Sequence, residues 1–255
     1  MEYAIVSVPA AAVRKKPGHR KEMTNQLLFG ETVKVLKIKK DKWAKVQSQH
    51  DGYEGWVTLS LLQETDELTA ALRPVFVTAG MFTCLRSDSS SMFVSAGASL
   101  PDYNGTTTRI KQQEYKVEGP VYNRSELAPG ADLLERLVQP WLNAPYLWGG
   151  RTPMGVDCSG FVQVIFKLLG IDLPRDAWQQ AQEGEPVVSL TEASTGDLVF
   201  FDDKDEIVHV GLLLNAELVI HAAGKVRIDP LDKKGIINRD SGLRTHRLKA
   251  IRRYW

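Results

Sequence analysis

The first quarter of the chain alternates hydrophobic and polar residues with the period of a β-strand. Residues 32–38 and 43–47 largely follow this alternation, and Asp51-Gly52 marks a turn before a further run at 53–57. Several short strands at close spacing, with no long helical repeat, are typical of a small barrel. The pattern predicts a β domain over residues 1–65.

A second stretch repeats this style less regularly, after a polar segment at residues 63–67. Apolar runs at 75–77, 92–94 and 115–117 indicate short strands, and Ser and Gly are frequent between them. We interpret residues 66–125 as a second small β domain.

The period changes near residue 126. Leucines recur at helical spacing before Pro140, and a clearer helix is predicted between the N-cap Asp157 and a stop at Gly170. Strands are predicted after these helices, at residues 197–201, 207–214, 218–222, 226–229 and 248–252. Helices followed by an antiparallel run predict an α+β domain over residues 126–255.

Composition excludes some classes of function. The 255 residues are 43% hydrophobic and 25% charged, and 32 basic against 31 acidic residues leave a net charge of +1. Binding of nucleic acid or of an anionic membrane by charge alone is therefore not expected. No apolar run approaches the roughly 18 to 20 residues that span a bilayer. The chain is expected to act as a monomer.

The start of the sequence bears on where the protein works. It carries no basic segment followed by a long apolar stretch, which favours the cytoplasm. A chain whose signal peptide had been removed would look the same, and would belong to the periplasm or the exterior.

Cysteine is the first candidate for chemistry. Only Cys84 and Cys158 occur, too few for a disulfide scaffold, although one bridge between them is an alternative. Cys158 follows the predicted N-cap Asp157, and the start of a helix lowers a thiol pKa and favours the thiolate. We predict that Cys158 is a nucleophile; the alternative is a buried structural cysteine.

Two of the five histidines supply a matching base. His209 and His221 lie in neighbouring predicted strands, twelve residues apart, so a hairpin centred on Asn215 places both rings opposite each other on one face. Such an arrangement fits a nucleophile, a base and an orienting group. The other histidines are interpreted as solvated: His19, His50 and His246. Zinc is the competing ligand, but no close Cys/His pair exists, so no metal and no cofactor are expected.

Five motifs in order resemble one known family. They are Tyr-Leu-Trp-Gly-Gly at 146–150, Asp-Cys-Ser-Gly-Phe at 157–161, Gly-Asp-Leu-Val-Phe at 196–200, His209-Val210-Gly211 and His221-Ala222. Together they resemble the NlpC family of bacterial cell-wall cysteine peptidases. The resemblance implies a papain-like catalytic domain that hydrolyses peptides of peptidoglycan.

The front half resembles the bacterial SH3-like domains of one subgroup, best at residues 22–31. The implied fold is a papain-like catalytic domain preceded by two SH3-like β-barrels, of which the second matches loosely. That subgroup comprises the γ-D-glutamyl-L-diamino acid endopeptidases, which release L-Ala-γ-D-Glu from murein peptides.

The resemblance also assigns roles at the reacting bond. Cys158 becomes the nucleophile, His209 the general base that later protonates the leaving amine, and His221 the residue that orients its imidazole. Tyr146 aligns with a tyrosine whose hydroxyl lies beside the thiol and helps to stabilise the oxyanion.

The implied substrate site reads both ends of the dipeptide. Asp157, with Glu22 and Tyr53 from the first β domain, would hold the ammonium of L-Ala. The remaining residues would hold the D-Glu part or wall the pocket: Ser159, Arg175 and Trp148. Asp157 could instead only cap its helix, and Tyr53 only fill the barrel. Ala177 departs from the family pattern, in which Ser is frequent at that position, so one hydroxyl contact is absent.

Three functions follow as hypotheses. The first is a peptidase that releases dipeptides from murein peptides with a free L-Ala terminus, its β domain blocking one end of the groove, in cytoplasmic recycling. The second is a secreted hydrolase of the intact wall, with the β domains as anchors. The third is a binding protein with a vestigial catalytic domain, against which the presence of Cys158, His209 and His221 argues.

Overall fold

The computed structural model describes residues 1–255, which divide into two compact units. The first unit comprises residues 1–127 and 148–153, and the second comprises residues 128–147 and 154–255. The predicted boundary at residue 125 thus lies two residues from the end of the first long segment. Residues 148–153, which the sequence assigned to the catalytic domain, group with the first unit instead. No helix in either unit has the length and apolar character needed to cross a membrane.

Seven antiparallel strands form the barrel-like sheet of the first unit, and they include the three strands predicted between residues 32 and 57. In chain order they are β1 (Tyr3–Val6), β2 (Ala10–Arg14), β3 (Met23–Leu28), β4 (Thr32–Lys39), β5 (Trp43–Ser48), β6 (Glu54–Thr58) and β7 (Leu62–Thr65). Alternate positions such as Val13, Val33 and Val46 are buried in one apolar core. The period-two pattern thus agrees with burial at Val33 and Val46, whereas Leu36 and Ile38 at the far end of β4 are exposed.

The rest of the first unit is smaller and is not a second barrel. It holds α1 (Glu67–Ala71), β8 (Phe76–Thr78), β9 (Phe82–Arg86), β10 (Ser91–Ser95), β11 (Thr107–Ile110), β12 (Gln113–Glu118) and β13 (Val121–Asn123). Four strands form an open sheet in the order β10-β9-β12-β11, and β13 pairs with β8 alone.

The prediction of a second SH3-like barrel is therefore wrong. Leu85 and Val94 of this sheet share one core with Ile5 and Phe29, which come from the first 65 residues. These short strands bury too little apolar surface by themselves, so they complete their core against the barrel.

Residues 148–153 are fixed within the first unit by a buried ion pair. The guanidinium of Arg151 donates to both carboxylate oxygens of Glu31, at 2.8 and 2.9 Å, and both side chains are almost fully buried. Arg151 also bonds to Gln26 through its backbone N–H and its side chain. Gly149 has φ +76°, and a Cβ there would lie 2.9 Å from the carbonyl oxygen of Met23, so only glycine fits.

The second unit contains the predicted helices and strands. Its first element is α2 (Ala131–Val138), which the chain follows with the short strand β14 (Arg151–Thr152) of the first unit. The remaining elements of the second unit are, in chain order, β15 (Gly155–Val156), α3 (Cys158–Leu168), α4 (Ala177–Gln180), β16 (Glu185–Pro186), β17 (Leu198–Asp203), β18 (Glu206–Asn215), β19 (Leu218–Ala223), β20 (Lys225–Asp232), β21 (Gly235–Ile237) and β22 (Arg244–Arg253). The sheet order is β16-β22-β17-β18-β19-β20-β21, and β22 also pairs with β21. The sheet therefore closes on itself, and the predicted α+β architecture is confirmed.

Helix α3 is the central helix of this unit. All eleven of its residues are buried, including Phe161 and Ile165. Gly170, at φ +85°, follows the end of the helix where a left-handed residue is needed. Because α3 packs on β18 and β19, its first turn meets the strands that carry His209 and His221.

Candidate active site

Cys158 is the first residue of α3, as predicted. The Asp157 carboxylate caps the helix by accepting a hydrogen bond from the Gly160 N–H at 2.7 Å. The Cys158 thiol is 6% exposed and accepts a hydrogen bond from the backbone N–H of Val210, the residue after His209. Both cysteines of the chain are free, so the alternative of a disulfide is wrong.

The predicted acidity of this thiol is wrong in direction. Burial and the charge of Asp157 raise the pKa of Cys158 to about 11, and N–H groups of Val210 and Ser159 offset only part of that. The start of a helix does stabilise an anion, but burial of the sulfur and the nearby carboxylate destabilise the thiolate by more than the helix stabilises it. The resting group is a neutral thiol.

The two predicted histidines lie on one face and contact each other. Nε2 of His209 is 2.8 Å from Nδ1 of His221, and Nε2 of His221 is 3.0 Å from a carboxylate oxygen of Asp229. All three side chains are buried. They form a hydrogen-bonded row that starts in β18, crosses β19 and ends in β20.

A β-bulge brings the histidines to the same face. Asn215 pairs with Leu218 across the two-residue turn, but Leu213 pairs with Val219, so Leu214 is an extra residue. Without this bulge the pairing would shift by one residue and turn one ring to the other face. The hairpin is thus centred one residue later than predicted, and the rings are diagonal neighbours.

The row of hydrogen bonds fixes which nitrogen of each ring carries a proton. An ionised Asp229 can only accept, so Nε2 of His221 donates to it, and in a neutral His221 ring Nδ1 then accepts. Nε2 of His209 therefore donates to His221, which leaves Nδ1 of His209 as the free acceptor. Burial, with the neighbouring His221 and His246, holds the pKa of His209 well below 6.5, so this ring is a neutral base.

Asp229 is a site residue that the sequence analysis did not single out. Burial opposes its charge, yet hydrogen bonds from His221 and Arg227, and one from the backbone N–H of Arg239, hold its pKa well below the usual range. The available signal was an aspartate at the end of the second predicted strand after His209.

Tyr146 lies in the same electrostatic surroundings as the thiol. Burial raises the pKa of Tyr146 to about 12, and the charges of Cys158 and Asp157 add to this effect. Its hydroxyl therefore stays protonated and can donate a hydrogen bond. Its backbone N–H is held by the carbonyl of Gly224 at 2.9 Å.

Three further predicted residues form one buried cluster at the start of α3. Arg175 donates to Asp157 at 2.6 Å and to the hydroxyl oxygen of Ser159 at 2.8 Å, and its side chain is 1% exposed. Asp157 thus both caps α3 and neutralises Arg175. Ala177, in α4, brings no hydroxyl to this cluster.

The other three predicted residues belong to the first unit. The indole N–H of Trp148 donates to the exposed Glu22 carboxylate at 3.2 Å, and the Trp148 side chain is 58% exposed. Tyr53 is partly buried and packs against the barrel core, as the structural alternative for it expected.

His246 was interpreted as solvated, and that is wrong. Its ring stacks on His209, with centroids 4.3 Å apart and planes at 26°. The prediction began the last strand at Leu248, whereas β22 begins at Arg244 and brings His246 onto the sheet. The alternation of His246 with Thr245 and Arg247 was the signal that could have extended the strand.

Comparison with protein-family models matches both halves of the chain. A model of the NlpC/P60 family matches residues 143–245, and a model of the bacterial dipeptidyl-peptidase SH3 domain matches residues 13–62. The fold and the site therefore define an NlpC/P60 domain preceded by one SH3-like domain.

Individual relatives agree with this class. The chain is 30% identical to the γ-D-glutamyl-L-lysine dipeptidyl-peptidase of Bacillus subtilis strain 168 over 213 residues, which cover 77% of this chain and 71% of that protein. It is 29% identical to a protein of the same name from Bacillus cereus ATCC 10987, over 88% of this chain and 75% of that one. The chain belongs to the NlpC/P60 family.

A solved structure has the same fold along the whole chain. The crystal structure of an NlpC/P60 family protein from Bacillus cereus ATCC 10987 superimposes with a TM-score of 0.82 and 24% identity, covering 99% of both chains.

Proposed function

We propose that this protein is a cysteine peptidase that hydrolyses the γ-D-Glu–diamino acid bond of murein peptides with a free N-terminal L-Ala, releasing L-Ala-γ-D-Glu. The observation that carries the proposal is the hydrogen-bonded row of His209, His221 and Asp229 beside the strand position whose N–H holds the Cys158 thiol. The names of the two dipeptidyl-peptidase relatives support the choice of bond.

The reaction begins from two neutral groups. Nδ1 of His209 removes the proton of the Cys158 thiol as the sulfur attacks the amide carbonyl carbon. The carbonyl π electrons move to oxygen, and the backbone N–H of Cys158 and the hydroxyl of Tyr146 stabilise that oxyanion. The row through His221 to Asp229 stabilises the imidazolium, because each N–H in it already points towards the carboxylate.

The second half of the reaction returns both groups to their resting state. The His209 imidazolium protonates the leaving amine of the diamino acid as the C–N bond breaks, which leaves a thioester on Cys158. Water, deprotonated by His209, then attacks the thioester, and the dipeptide leaves with a free carboxylate while the sulfur is reprotonated.

Recognition of the dipeptide uses charge at both ends. The Ser159 oxygen already accepts from Arg175, so its own O–H is available to donate to the α-carboxylate of D-Glu. The family resemblance assigns the acceptors for the ammonium of L-Ala to Asp157, Glu22 and Tyr53, and a wall of the pocket to Trp148. We place this activity in the recycling of murein peptides in the cytoplasm, by a monomer that needs neither cofactor nor nucleic acid.

The test uses L-Ala-γ-D-Glu-L-Lys, its meso-diaminopimelate counterpart, and N-acetylated forms of both, with products identified by mass. We expect L-Ala-γ-D-Glu from the free peptides, slow cleavage of the acetylated ones, and none with Cys158→Ala. Losing one charge-assisted contact in Glu22→Ala should lower kcat/KM for the free peptides by about 10- to 100-fold, and much less for the acetylated ones.

Glu54→Ala is the matched control, because Glu54 is an exposed glutamate of the same barrel that pairs with Lys45. Equal cleavage of free and acetylated peptides would exclude the requirement for a free terminus. Efficient release of peptides from assembled sacculi would then favour the secreted wall hydrolase.

A further inference from the structure

The base of the proposed reaction is enclosed by aromatic rings. His246 stacks on one face of His209 at 4.3 Å, and Phe201 approaches the His209 ring at 5.8 Å with its plane tilted by 40°. Phe201 also contacts His246 edge-on at 5.9 Å. His209 is only 6% exposed, although Val208, the residue before it in β18, is exposed.

Strand register explains why a residue of β22 reaches a ring on β18. Phe201 of β17 pairs with His209 on one side and with Leu248 on the other, so these three share a face. His246 lies two residues before Leu248 and therefore shares that face too. The contact is thus a consequence of the sheet and does not depend on a loop.

The far side of His246 adjoins solvent. It lines an open cavity of about 840 Å³ whose other walls are mostly charged, among them Asp202 and Arg247, which pair with each other. The His246 ring accordingly separates His209 from the water that such a polar cavity holds.

We propose that His246 is a positioning residue for the general base: its neutral ring covers one face of His209, excludes water from it and fixes the plane of the imidazole. This inference rests on the proposed function, in which His209 is the base. A ring held between His246, Phe201 and the bond to His221 has one orientation available, which keeps its free Nδ1 directed to one place.

His246 can serve this role only while it is uncharged. Burial and the neighbouring His221 lower the pKa of His246 to about 4, although the charge of Asp229 acts against them. It is therefore neutral near pH 7 and does not repel the imidazolium that forms on His209. Nδ1 of His246 forms a hydrogen bond with the Thr245 hydroxyl at 2.8 Å, so His246 contacts His209 through the face of its ring and not through this nitrogen.

Other titratable groups face these two rings from each neighbouring element. Around His209 they are His221 and His246, with Asp229 beyond His221, and the Cys158 thiol interacts with the backbone of the next residue, Val210. Around the outer side of His246 they are Asp202, Asp203, Lys204, Asp205, Arg244 and Arg247. Substituting His246 changes none of them, so a changed titration of His209 reports the loss of the covering ring.

The experiment follows the titration of the His209 imidazole by NMR in the full chain without substrate, and kcat/KM against pH with the tripeptide. In His246→Ala we expect the His209 pKa to rise towards 6.5, because water reaches the ring, and the acid limb of kcat/KM to move to higher pH with it. The poorer orientation should lower kcat by about tenfold, a fraction of what a positioned base contributes. In His246→Phe, which retains a flat ring without ionisable nitrogens, both should stay near the parent values.

His246→Gln, which fills much of the same space without an aromatic face, should behave as His246→Ala and replaces it if that variant does not fold. An unchanged His209 titration in both would overturn the proposal. So would a His246→Phe variant as impaired as His246→Ala, because that result would assign the role to the ring nitrogens. A protein with the expected titrations but no peptidase activity would refute the proposed function and leave the covering role of His246 intact.

Discussion

At the scale of single residues, the site keeps its nucleophile and its base uncharged. Burial raises the pKa of the Cys158 thiol to about 11 and holds that of the His209 imidazole well below 6.5. Both shifts favour the uncharged thiol and the uncharged imidazole over an ion pair of the two. In the proposed reaction the thiolate forms only as the sulfur attacks the substrate, and a thiol that stays protonated between turnovers would react more slowly with oxidants.

This order of pKa values predicts how the thiol is alkylated. In a Cys84→Ser background, the rate of iodoacetamide labelling of Cys158 should climb with pH beyond 9, since only about one thiol in 10⁴ is ionised at pH 7 when its pKa is about 11. Mass spectrometry over pH 5–10 measures the rate, and Cys84→Ser/Cys158→Ala controls for labelling elsewhere. A plateau already reached below pH 7 would instead show a preformed thiolate.

The sequence was sufficient to place Cys158 at the start of a helix and His209 and His221 on one face of a sheet, because each placement depends on a local period. Their roles in the reaction stay a prediction. The direction of the pKa shift of the Cys158 thiol could not be predicted from the sequence. It depends on how deeply α3 is buried and on the Asp157 charge, and packing determines both.

At the scale of elements, the hairpin of β18 and β19 sets the geometry of the row. Gly211 lies opposite His221, and a Cβ at Gly211 would come within 2.5 Å of Val219 Cγ2 and 3.2 Å of His221 Cβ. The two strands approach this closely only because position 211 has no side chain. The glycine therefore controls the separation on which the bond between the histidines depends.

Gly211→Ala should consequently slow the reaction without unfolding the unit. The added methyl pushes β19 away, lengthens the contact between His209 and His221, and should lower kcat by about 10²-fold, within the contribution of a positioned base. Adding Val219→Ala removes the clashing methyl groups, so the double variant should regain much of the lost kcat even though Val219→Ala alone costs stability. Additive losses in the double variant would contradict this steric account.

The last strand shows where prediction from periodicity stopped. Residues 248–252 are apolar enough to be recognised, but β22 extends back to Arg244 through alternating exposed and half-buried positions. His246 occupies one of the half-buried ones. The alternation around His246 is a weak signal because the strand there has polar and charged neighbours, and the place of this ring beside His209 is visible only from the register.

At the scale of the whole molecule, the predicted boundary after residue 125 lies near the end of the first unit's long segment at residue 127, but the sequence did not indicate that residues 148–153 return to that unit. Residues 148–153 follow a typical catalytic-domain motif, and nothing in their local pattern indicates that Arg151 finds a carboxylate 120 residues away in Glu31. A buried pair of this kind depends on tertiary contacts alone, which periodicity does not encode.

Breaking that pair should destabilise the first unit strongly. Arg151→Met leaves the Glu31 carboxylate buried without its partner, and we expect a loss of about 3–5 kcal/mol in the free energy of unfolding. Urea unfolding followed by near-UV circular dichroism measures it. The double variant Arg151→Met/Glu31→Leu removes both charges, so its free energy of unfolding should fall by clearly less than that of the single variant. A double variant as unstable as the single one would show that the loss of packing dominates over the effect of the buried charge. Lys45→Met, at an exposed pair, is the control.

Because of the bulge at Leu214, the number of residues between the two histidines is informative when homologous sequences are compared. In a regular hairpin with a two-residue turn, side chains on the same face of the two strands are an odd number of residues apart. One extra residue in a strand makes that spacing even, as for His209 and His221, which are twelve residues apart. Gain or loss of a single residue in this loop is therefore tolerated when the bulge appears or vanishes with it. In any homologue that retains both histidines and the short turn, the parity of their spacing reveals whether its strand is kinked.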